Sequence, residues 1–223
     1  MGHVIAIDGP AGAGKSTIAR AVAQKLGYTY IDTGAMYRAI ALWASRTHNA
    51  SSDANKLEQL AISANIELLP ERRVSLNGED VTEAIRAPEI SELASRVAAI
   101  GAVRSALVVK QRRIAETCNV VMEGRDIGSV VFPDARVKIF LDADPAERVR
   151  RRSEELPGEH PDALAAQIAD RDRRDRNRAE SPLLQAPDAT YLDSTGMTPG
   201  QVEDAILKIV RARISNGKTT RGE

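Results

Sequence analysis

Short apolar runs and longer amphipathic stretches alternate along most of the chain. The first run, residues 3–8, ends at a glycine–proline pair and predicts a buried strand, and the periodic apolar positions of residues 15–26 predict a helix that stops at Gly27. The same patterns predict further strands at 28–31, 119–122, 136–141 and 190–192, and helices at 33–48, 88–99, 103–117, from 145 onward, at 162–178 and at 198–214. Strands that alternate with helices predict an α/β fold with a mostly parallel sheet covered on both faces.

A different pattern interrupts this alternation near residue 60. Short apolar runs at 66–69 and 74–76 predict two strands, and the Asn77-Gly78 pair that follows is typical of a two-residue β-hairpin turn. We therefore expect a small β-rich insertion within the alternating part of the chain.

The composition is that of a globular chain with an aliphatic core. Of 223 residues, 43% are hydrophobic and 28% are charged but only 3% are aromatic, which fits one elaborated domain packed with Ala, Ile, Leu and Val. Lys+Arg and Asp+Glu balance at 31 each, which disfavours a broad surface for nucleic acid or anionic membranes. The lone Cys118 excludes an intrachain disulfide, and neither a signal-peptide pattern nor an apolar run of ~18 residues occurs, so we expect a cytoplasmic protein.

A glycine-rich segment between the first predicted strand and the first predicted helix matches G-x-x-x-x-G-K-[ST], in the context that a phosphate-binding P-loop requires. Glycines let backbone N–H groups turn inward around phosphate oxygens, and the helix N-terminus adds positive potential. We expect Lys15 to reach the β- and γ-phosphates of ATP and the Ser16 hydroxyl to ligate Mg²⁺. The predicted ATP-binding residues are Gly9, Pro10, Ala11, Gly12, Ala13, Gly14, Lys15, Ser16 and Thr17.

A P-loop is shared by GTPase switches, motor ATPases and small-molecule kinases. A GTPase also needs an N-K-x-D sequence after a strand, and the nearest string, residues 55–58 (NKLE), ends in glutamate and begins in a polar stretch. The pattern therefore disfavours a GTPase switch, and the remaining classes are distinguished by the residues available for an acceptor.

The first acceptor candidate is the string DTGAMYR at residues 32–38, where the second predicted strand passes into a helix. Open α/β sheets bind ligands beyond the carboxyl ends of their strands. Thr33 can cap the helix and Arg38 can hold a phosphate, although an ordinary cap and a solvated helix charge are alternatives for these two residues.

The second candidate is the string EGRDIG at residues 123–128, directly after the apolar strand at 119–122. An adjacent arginine and aspartate between glycines, at the carboxyl end of a strand, are typical of recognition. Arg125 would bind phosphate and Asp126 would accept a hydrogen bond, and a salt bridge within the loop is the alternative.

The third candidate is the charged string DRDRRDRNR at residues 170–178 of a predicted helix. At about 100° per residue, Arg171, Asp175 and Arg178 share one face, with Arg174 close by. Guanidinium groups around a carboxylate suit phosphoryl-transfer charge with a ribose hydroxyl alongside, whereas a solvated helix with internal ion pairs is the alternative. A preceding arginine run offers a second wall for a lid over the site: Arg148, Arg150, Arg151 and Arg152.

Four strings, IDGPAGAGKST, IDTGAMYR, EGRDIGSVVFPDA and DRDRRDRNR, in this order and spacing, resemble bacterial cytidylate kinases over about residues 3–214. The resemblance implies a P-loop kinase three-layer fold with a five-stranded parallel sheet, a β-rich monophosphate-binding insertion and a helical lid. It also implies a division of the chain into core segments at 1–59, 96–146 and 179–214, the insertion at 60–95, the lid at 147–178 and a disordered tail at 215–223.

The resemblance further implies transfer of the γ-phosphoryl group of ATP to CMP or dCMP with Mg²⁺. From the charge balance we expect neither nucleic acid nor membrane as a partner, and we expect a monomer. The catalytic residues that it implies are Lys15, Arg125, Arg171 and Arg178. The CMP-binding residues that it implies are Thr33, Arg38, Ser95, Arg104, Arg125, Asp126, Asp175 and Arg178. Residue patterns alone favour helix-surface positions for Ser95 and Arg104. A P-loop kinase for UMP, shikimate or dephospho-coenzyme A and an ATP-dependent nucleic-acid-binding protein are the alternative functions.

Overall fold

The computed structural model describes residues 2–47, 53–156 and 158–215, which form two compact units. The first unit comprises the residues up to Tyr30 and from Ala115 onward, and the second unit runs from Ile31 to Ile114. The strands are β1 (Val4–Asp8), β2 (Thr29–Asp32), β3 (Ile66–Leu68), β4 (Val74–Leu76), β5 (Glu79–Asp80), β6 (Val120–Gly124), β7 (Val137–Asp142) and β8 (Thr190–Asp193). The helices are α1 (Lys15–Leu26), α2 (Thr33–Arg46), α3 (Ala54–Ser63), α4 (Pro88–Val97), α5 (Gly101–Thr117), α6 (Pro145–Glu155), α7 (Pro161–Arg176) and α8 (Pro199–Ser215).

The large sheet has the strand order β2-β6-β1-β7-β8, and the predicted five-stranded parallel sheet is confirmed. β1 lies at its centre between β6 and β7, and Asp8 at its carboxyl end is level with Gly124 and with Phe140. The glycine-rich loop after Asp8 and the Arg125-Asp126 pair after Gly124 therefore leave neighbouring strands at the same edge of the sheet.

The core of the first unit is aliphatic, as the composition predicts. Ile and Val side chains from β1, β6 and β7 pack with one face of α1 and of α8, and Ile5, Val22, Val121 and Ile206 are fully buried. α1 has the bounds that its apolar period predicts, because Gly27 adopts the left-handed conformation and donates its N–H to carbonyl oxygens of the last turn.

The second unit contains the small β-rich segment that the sequence predicts. β3, β4 and β5 form an antiparallel sheet, and Asn77 and Gly78 both have positive φ values, 52° and 87°, in the turn that joins β4 to β5. Helices α2 to α5 bury their apolar faces in the same core cluster as β4. The boundaries predicted for the insertion, 60–95, and for the lid, 147–178, stay predictions.

Several elements differ from the sequence patterns. α3 was not predicted, although Leu57, Leu60 and Ala61 recur at the spacing of a helix, and of its residues Leu57 and Ala61 are buried. α2 ends at Arg46 and α7 ends at Arg176, each two residues before its predicted end. Position 48 and the predicted tail after residue 215 lie outside the described residues. Within the described ranges, no helix is both long and apolar enough to cross a membrane.

Candidate functional site

The glycine-rich loop joins β1 to α1, and its backbone passes very close to neighbouring segments of the first unit. A Cβ atom on Gly9 would lie 1.9 Å from the carbonyl oxygen of Leu141, so a side chain cannot be accommodated there. Gly12 has a φ of +76°, and a Cβ atom on it would lie 3.1 Å from both the Cβ and the carbonyl oxygen of Arg148. The glycines therefore let the loop sit against β7 and α6.

Lys15, the first residue of α1, is buried, and its Nζ donates a hydrogen bond to the carbonyl oxygen of Pro10 at 2.6 Å. Burial, reinforced by the positive charge of Arg125, lowers the pKa of Lys15 to about 7, and the carboxylate of Glu123 opposes this shift. A buried ammonium of this kind favours any ligand that brings negative charge, because the ligand restores the compensation that water no longer supplies.

Arginines of two different segments surround Asp175, as the helical face predicts. Arg125 Nε donates to Asp175 Oδ2 at 2.8 Å, and Arg178 Nη2 donates to Asp175 Oδ1. Although burial raises the pKa of Asp175, the charges of Arg125, Arg178 and Arg171 hold it below its usual value. These four residues, called the Asp175 cluster below, combine three guanidinium groups with one buried carboxylate.

One detail of the predicted helical face is wrong. α7 ends at Arg176, and Asn177 follows with non-helical geometry, so Arg178 does not continue the helix on which its position was projected. Arg178 nevertheless returns to Asp175, its side chain is only 4% exposed, and the predicted grouping is preserved by the chain's path beyond the helix.

Glu123 is a buried carboxylate near Lys15 that the sequence patterns did not single out. It lies in β6 opposite Ile7 of β1, the hydroxyl of Tyr30 donates to its Oε1, and its charge raises the pKa of Lys15. Its position just before Gly124 and Arg125 was the available signal, but of the EGRDIG string only Arg125 and Asp126 were assigned a role.

Asp8, the last residue of β1, holds the turn that follows Asp126. Its carboxylate accepts hydrogen bonds from the N–H groups of Ile127 at 2.8 Å and Gly128 at 2.7 Å. Burial raises the pKa of Asp8 to about 6, although these two hydrogen bonds lower it. Asp126 is itself buried, so both carboxylates between β1 and this turn are sequestered from solvent.

The arginine run on α6 divides into two pairs. Arg148 and Arg151 turn toward the glycine-rich loop and donate to the carbonyl oxygens of Ala11 at 3.0 Å and Ala13 at 3.4 Å. The other two arginines of the run pair with glutamates of the same helix. Asp172, which the sequence patterns did not indicate, is buried beside Arg148. The lid role of this run stays a prediction.

The second unit holds the other predicted acceptor residues, beginning with those at the start of α2. Asp32 Oδ1 accepts a hydrogen bond from the N–H of Ala35 at 2.9 Å, and Asp32 Oδ2 pairs with Arg38 at 2.8 Å. Asp32 is therefore the helix cap, and the prediction that Thr33 caps α2 is wrong. Thr33 is instead the first helical residue, and it is buried.

Ser95 and Arg104 are buried, so the surface positions that residue patterns favoured for them are wrong. The guanidinium of Arg104 lies 5.4 Å from the centre of the Tyr37 ring, and its Nη1 donates to the carbonyl oxygen of Ala98 at 3.0 Å. Among the described residues, Ser95 Oγ has no hydrogen-bond partner. A buried hydroxyl without a partner is costly for the fold alone, which points to a ligand.

A parallel sheet, a G-x-x-x-x-G-K-S loop between β1 and α1, and arginines gathered around a buried carboxylate define a P-loop phosphotransferase. The sequence profile described as "Cytidylate kinase" matches residues 5–212. The chain belongs to the cytidylate kinase family.

Two curated relatives match the chain over nearly their full lengths. The chain is 60% identical to a "Cytidylate kinase" of Solibacter usitatus over 96% of this chain and 95% of that protein. It is 48% identical to a "Cytidylate kinase" of Pelotomaculum thermopropionicum over 96% of each chain. It is also 47% identical to a "Bifunctional pantoate ligase/cytidylate kinase" of a Synechococcus strain, where the match covers 95% of this chain and 45% of that protein.

Among solved structures, an uncharacterized protein from Eubacterium ventriosum superimposes with a TM-score of 0.57. The match covers 96% of this chain and 100% of that chain at 14% identity, so it bears on the fold alone.

Proposed function

We propose that this chain transfers the γ-phosphoryl group of ATP to CMP or dCMP and releases ADP with CDP or dCDP. Membership of the cytidylate kinase family supports the acceptor. The observation that supports the transfer is the gathering of Lys15 and the Asp175 cluster at the carboxyl edge of one parallel sheet, where the glycine-rich loop begins.

The donor triphosphate is assigned to the glycine-rich loop. The backbone N–H groups at the start of α1 and the buried ammonium of Lys15 would hold the β- and γ-phosphates. Ser16 is exposed at the first turn of α1, and no side-chain hydrogen bond engages it among the described residues, so its hydroxyl fits a ligand of Mg²⁺. Mg²⁺ takes few protein ligands and completes its shell with phosphate oxygens and water, and it would neutralise charge on the transferring group.

The transfer itself needs positioning and charge neutralisation more than covalent chemistry, because the transition state is loose. Lys15, Arg125, Arg171 and Arg178 would stabilise charge on the phosphoryl group as it moves in line from donor to acceptor. The acceptor phosphate is already ionised, so no general base and no covalent enzyme intermediate are needed.

The acceptor base is assigned to Asp126, Ser95 and Arg104 by the family resemblance. Cytosine offers an N4 amino donor beside N3 and O2 acceptors, so a carboxylate matches N4 and an arginine matches N3 and O2. Uracil would set its O4 acceptor against the Asp126 carboxylate. The remaining groups assigned to CMP are Thr33, Arg38 and Arg125 for the phosphate and Asp175 with Arg178 for the ribose and phosphate.

The test is a coupled ADP-release assay with CMP, dCMP, UMP and AMP as acceptors. We expect CMP and dCMP to be preferred, and we expect Asp126→Asn to lower the CMP/UMP ratio of kcat/KM roughly ten- to a hundredfold, because the amide can turn its NH₂ donor to the O4 of uracil, which the carboxylate cannot do. Asp134→Asn, an exposed aspartate in the same connection, is the matched control. An unchanged ratio in Asp126→Asn would remove Asp126 from base recognition, and equal turnover of UMP or AMP by the wild-type chain would contradict the proposed acceptor.

The monomeric state and the cytoplasmic location stay predictions.

A further inference from the structure

Both polar groups of one residue in the glycine-rich loop, Ala11, are bound by side chains from distant parts of the chain. Its N–H donates to Asp172 Oδ1 on α7 at 3.2 Å, and its carbonyl oxygen accepts from Arg148 Nη1 on α6 at 3.0 Å. Two helices therefore bind the same loop residue, α7 through its N–H group and α6 through its carbonyl oxygen.

The two side chains also bind each other. Arg148 Nη1 and Asp172 Oδ2 are 2.5 Å apart, and both residues are only 5% exposed. Arg148 Nε donates to the carbonyl oxygen of Ala143 at 3.1 Å, which fixes the guanidinium at the base of α6. A buried ion pair contributes little net stability but is costly to break, so it fixes geometry more than it stabilises the fold.

The contact on Ala11 bears on the part of the loop that follows it. Gly12 already abuts the backbone of Arg148, so a shift of α6 would displace the loop directly. The N–H groups at the start of α1 must converge on phosphate oxygens, and a displacement of about 1 Å at such a site can cost about a hundredfold.

We propose that Asp172 and Arg148 are positioning residues for the phosphate donor: together they fix the backbone of Ala11, and thereby the phosphate-binding shape of the loop. This inference rests on the proposed use of ATP as the donor. Their neighbours on α7, Arg171 and Asp175, belong to the Asp175 cluster and act on the transferred group, whereas Asp172 acts through Ala11.

The test compares two identical substitutions one half-turn apart on α7. Asp172→Asn removes the charge that pairs with Arg148, and Asp170→Asn changes an exposed aspartate that pairs with Arg173. We expect Asp172→Asn to raise the dissociation constant of ATP, measured by direct titration without any acceptor, roughly tenfold. The KM for ATP should rise in parallel and the KM for CMP should change much less, whereas Asp170→Asn should match the wild-type chain.

A second pair of variants covers the case in which Asp172→Asn does not fold. Arg148→Lys keeps the buried positive charge but cannot bond Ala143, Ala11 and Asp172 together, so it should weaken ATP binding several-fold. Arg173→Lys, at an exposed position of α7, is its control.

Two results would overturn the inference: an ATP affinity unchanged in both Asp172→Asn and Arg148→Lys, or equal rises in the KM values for ATP and CMP, which indicate general damage. The titration needs no acceptor, so a wild-type chain that binds ATP but ignores CMP would contradict the proposed function and leave this inference to its own test.

Discussion

Two sets of buried polar groups, one in each unit, are accommodated in different ways. In the first unit, protein groups compensate one another: Arg125 and Arg178 both bind Asp175, and the ammonium of Lys15 is bonded to the carbonyl oxygen of Pro10. In the second unit, Ser95 Oγ is buried without a hydrogen-bond partner among the described residues. The groups assigned to the phosphates are thus held in place by the fold, whereas a group assigned to base recognition is left for a ligand to complete.

The largest effect that would test this contrast is expected at Arg178. In Arg178→Ala, kcat should fall about a hundredfold or more, because a guanidinium that neutralises transition-state charge is lost. The fold should survive, because Asp175 keeps its bond to Arg125. Steady-state kinetics and thermal unfolding measure the two effects.

Arg176→Ala is the matched control, since Arg176 is exposed at the end of α7. It should retain wild-type turnover. Near-normal kcat in Arg178→Ala would show that the Asp175 cluster serves the fold and not the transfer, and the contrast between the units would then disappear.

The features that could be predicted from the sequence are those with local causes. The glycine-rich loop, α1 and the Asn77-Gly78 turn depend on backbone conformations that glycine allows and on apolar periods within a few residues, so their positions were predictable. The five strands were predictable for the same reason, since each is a short apolar run with a turn residue at its end.

The missed features depend on groups far apart in the chain. The bond between Asp172 and Ala11 joins residues 161 positions apart, and no local pattern predicts their contact. The burial of Ser95 and Arg104 depends on how α4 and α5 pack, whereas their immediate neighbours fit an ordinary amphipathic helix. α3 was missed for a different reason: Leu57, Leu60 and Ala61 have the spacing of a helix, but the helix is short and begins in a polar stretch.

A smaller effect is expected from the protonation of Lys15. Burial lowers its pKa to about 7, so at about pH 8 most molecules carry a neutral Lys15, and bound phosphates should raise the pKa again. ATP binding should then take up about half a proton or more at about pH 8, because the bound state holds more protons than the free state. Calorimetric titration in buffers of different ionisation enthalpy measures this uptake.

The uptake should vanish as the pH falls below about 6, where Lys15 is already protonated before ATP arrives. Lys25→Gln, which changes an exposed lysine on the same helix, should leave it unaltered. A binding enthalpy that is independent of the buffer at about pH 8 would mean that the fold keeps Lys15 charged without phosphate. Protein groups alone would then compensate the charge of Lys15.

The smallest expected effect, at Ser95, tests the second half of the contrast. Ser95→Ala removes a buried hydroxyl that has no hydrogen-bond partner in the described part of the chain, so the fold should lose no stability and the melting temperature should stay the same or rise. The KM for CMP should nevertheless rise roughly three- to tenfold, the value of one hydrogen bond, with the KM for ATP unchanged.

Ser91→Ala, one turn earlier on α4, is the matched control for both measurements. A fall in the melting temperature of several degrees would assign the hydroxyl to the fold, and an unchanged KM for CMP would remove it from recognition. A loss of affinity for CMP without a loss of stability would distinguish a hydroxyl that the ligand uses from one that the fold uses, because removing a hydroxyl that the fold uses would lower the melting temperature.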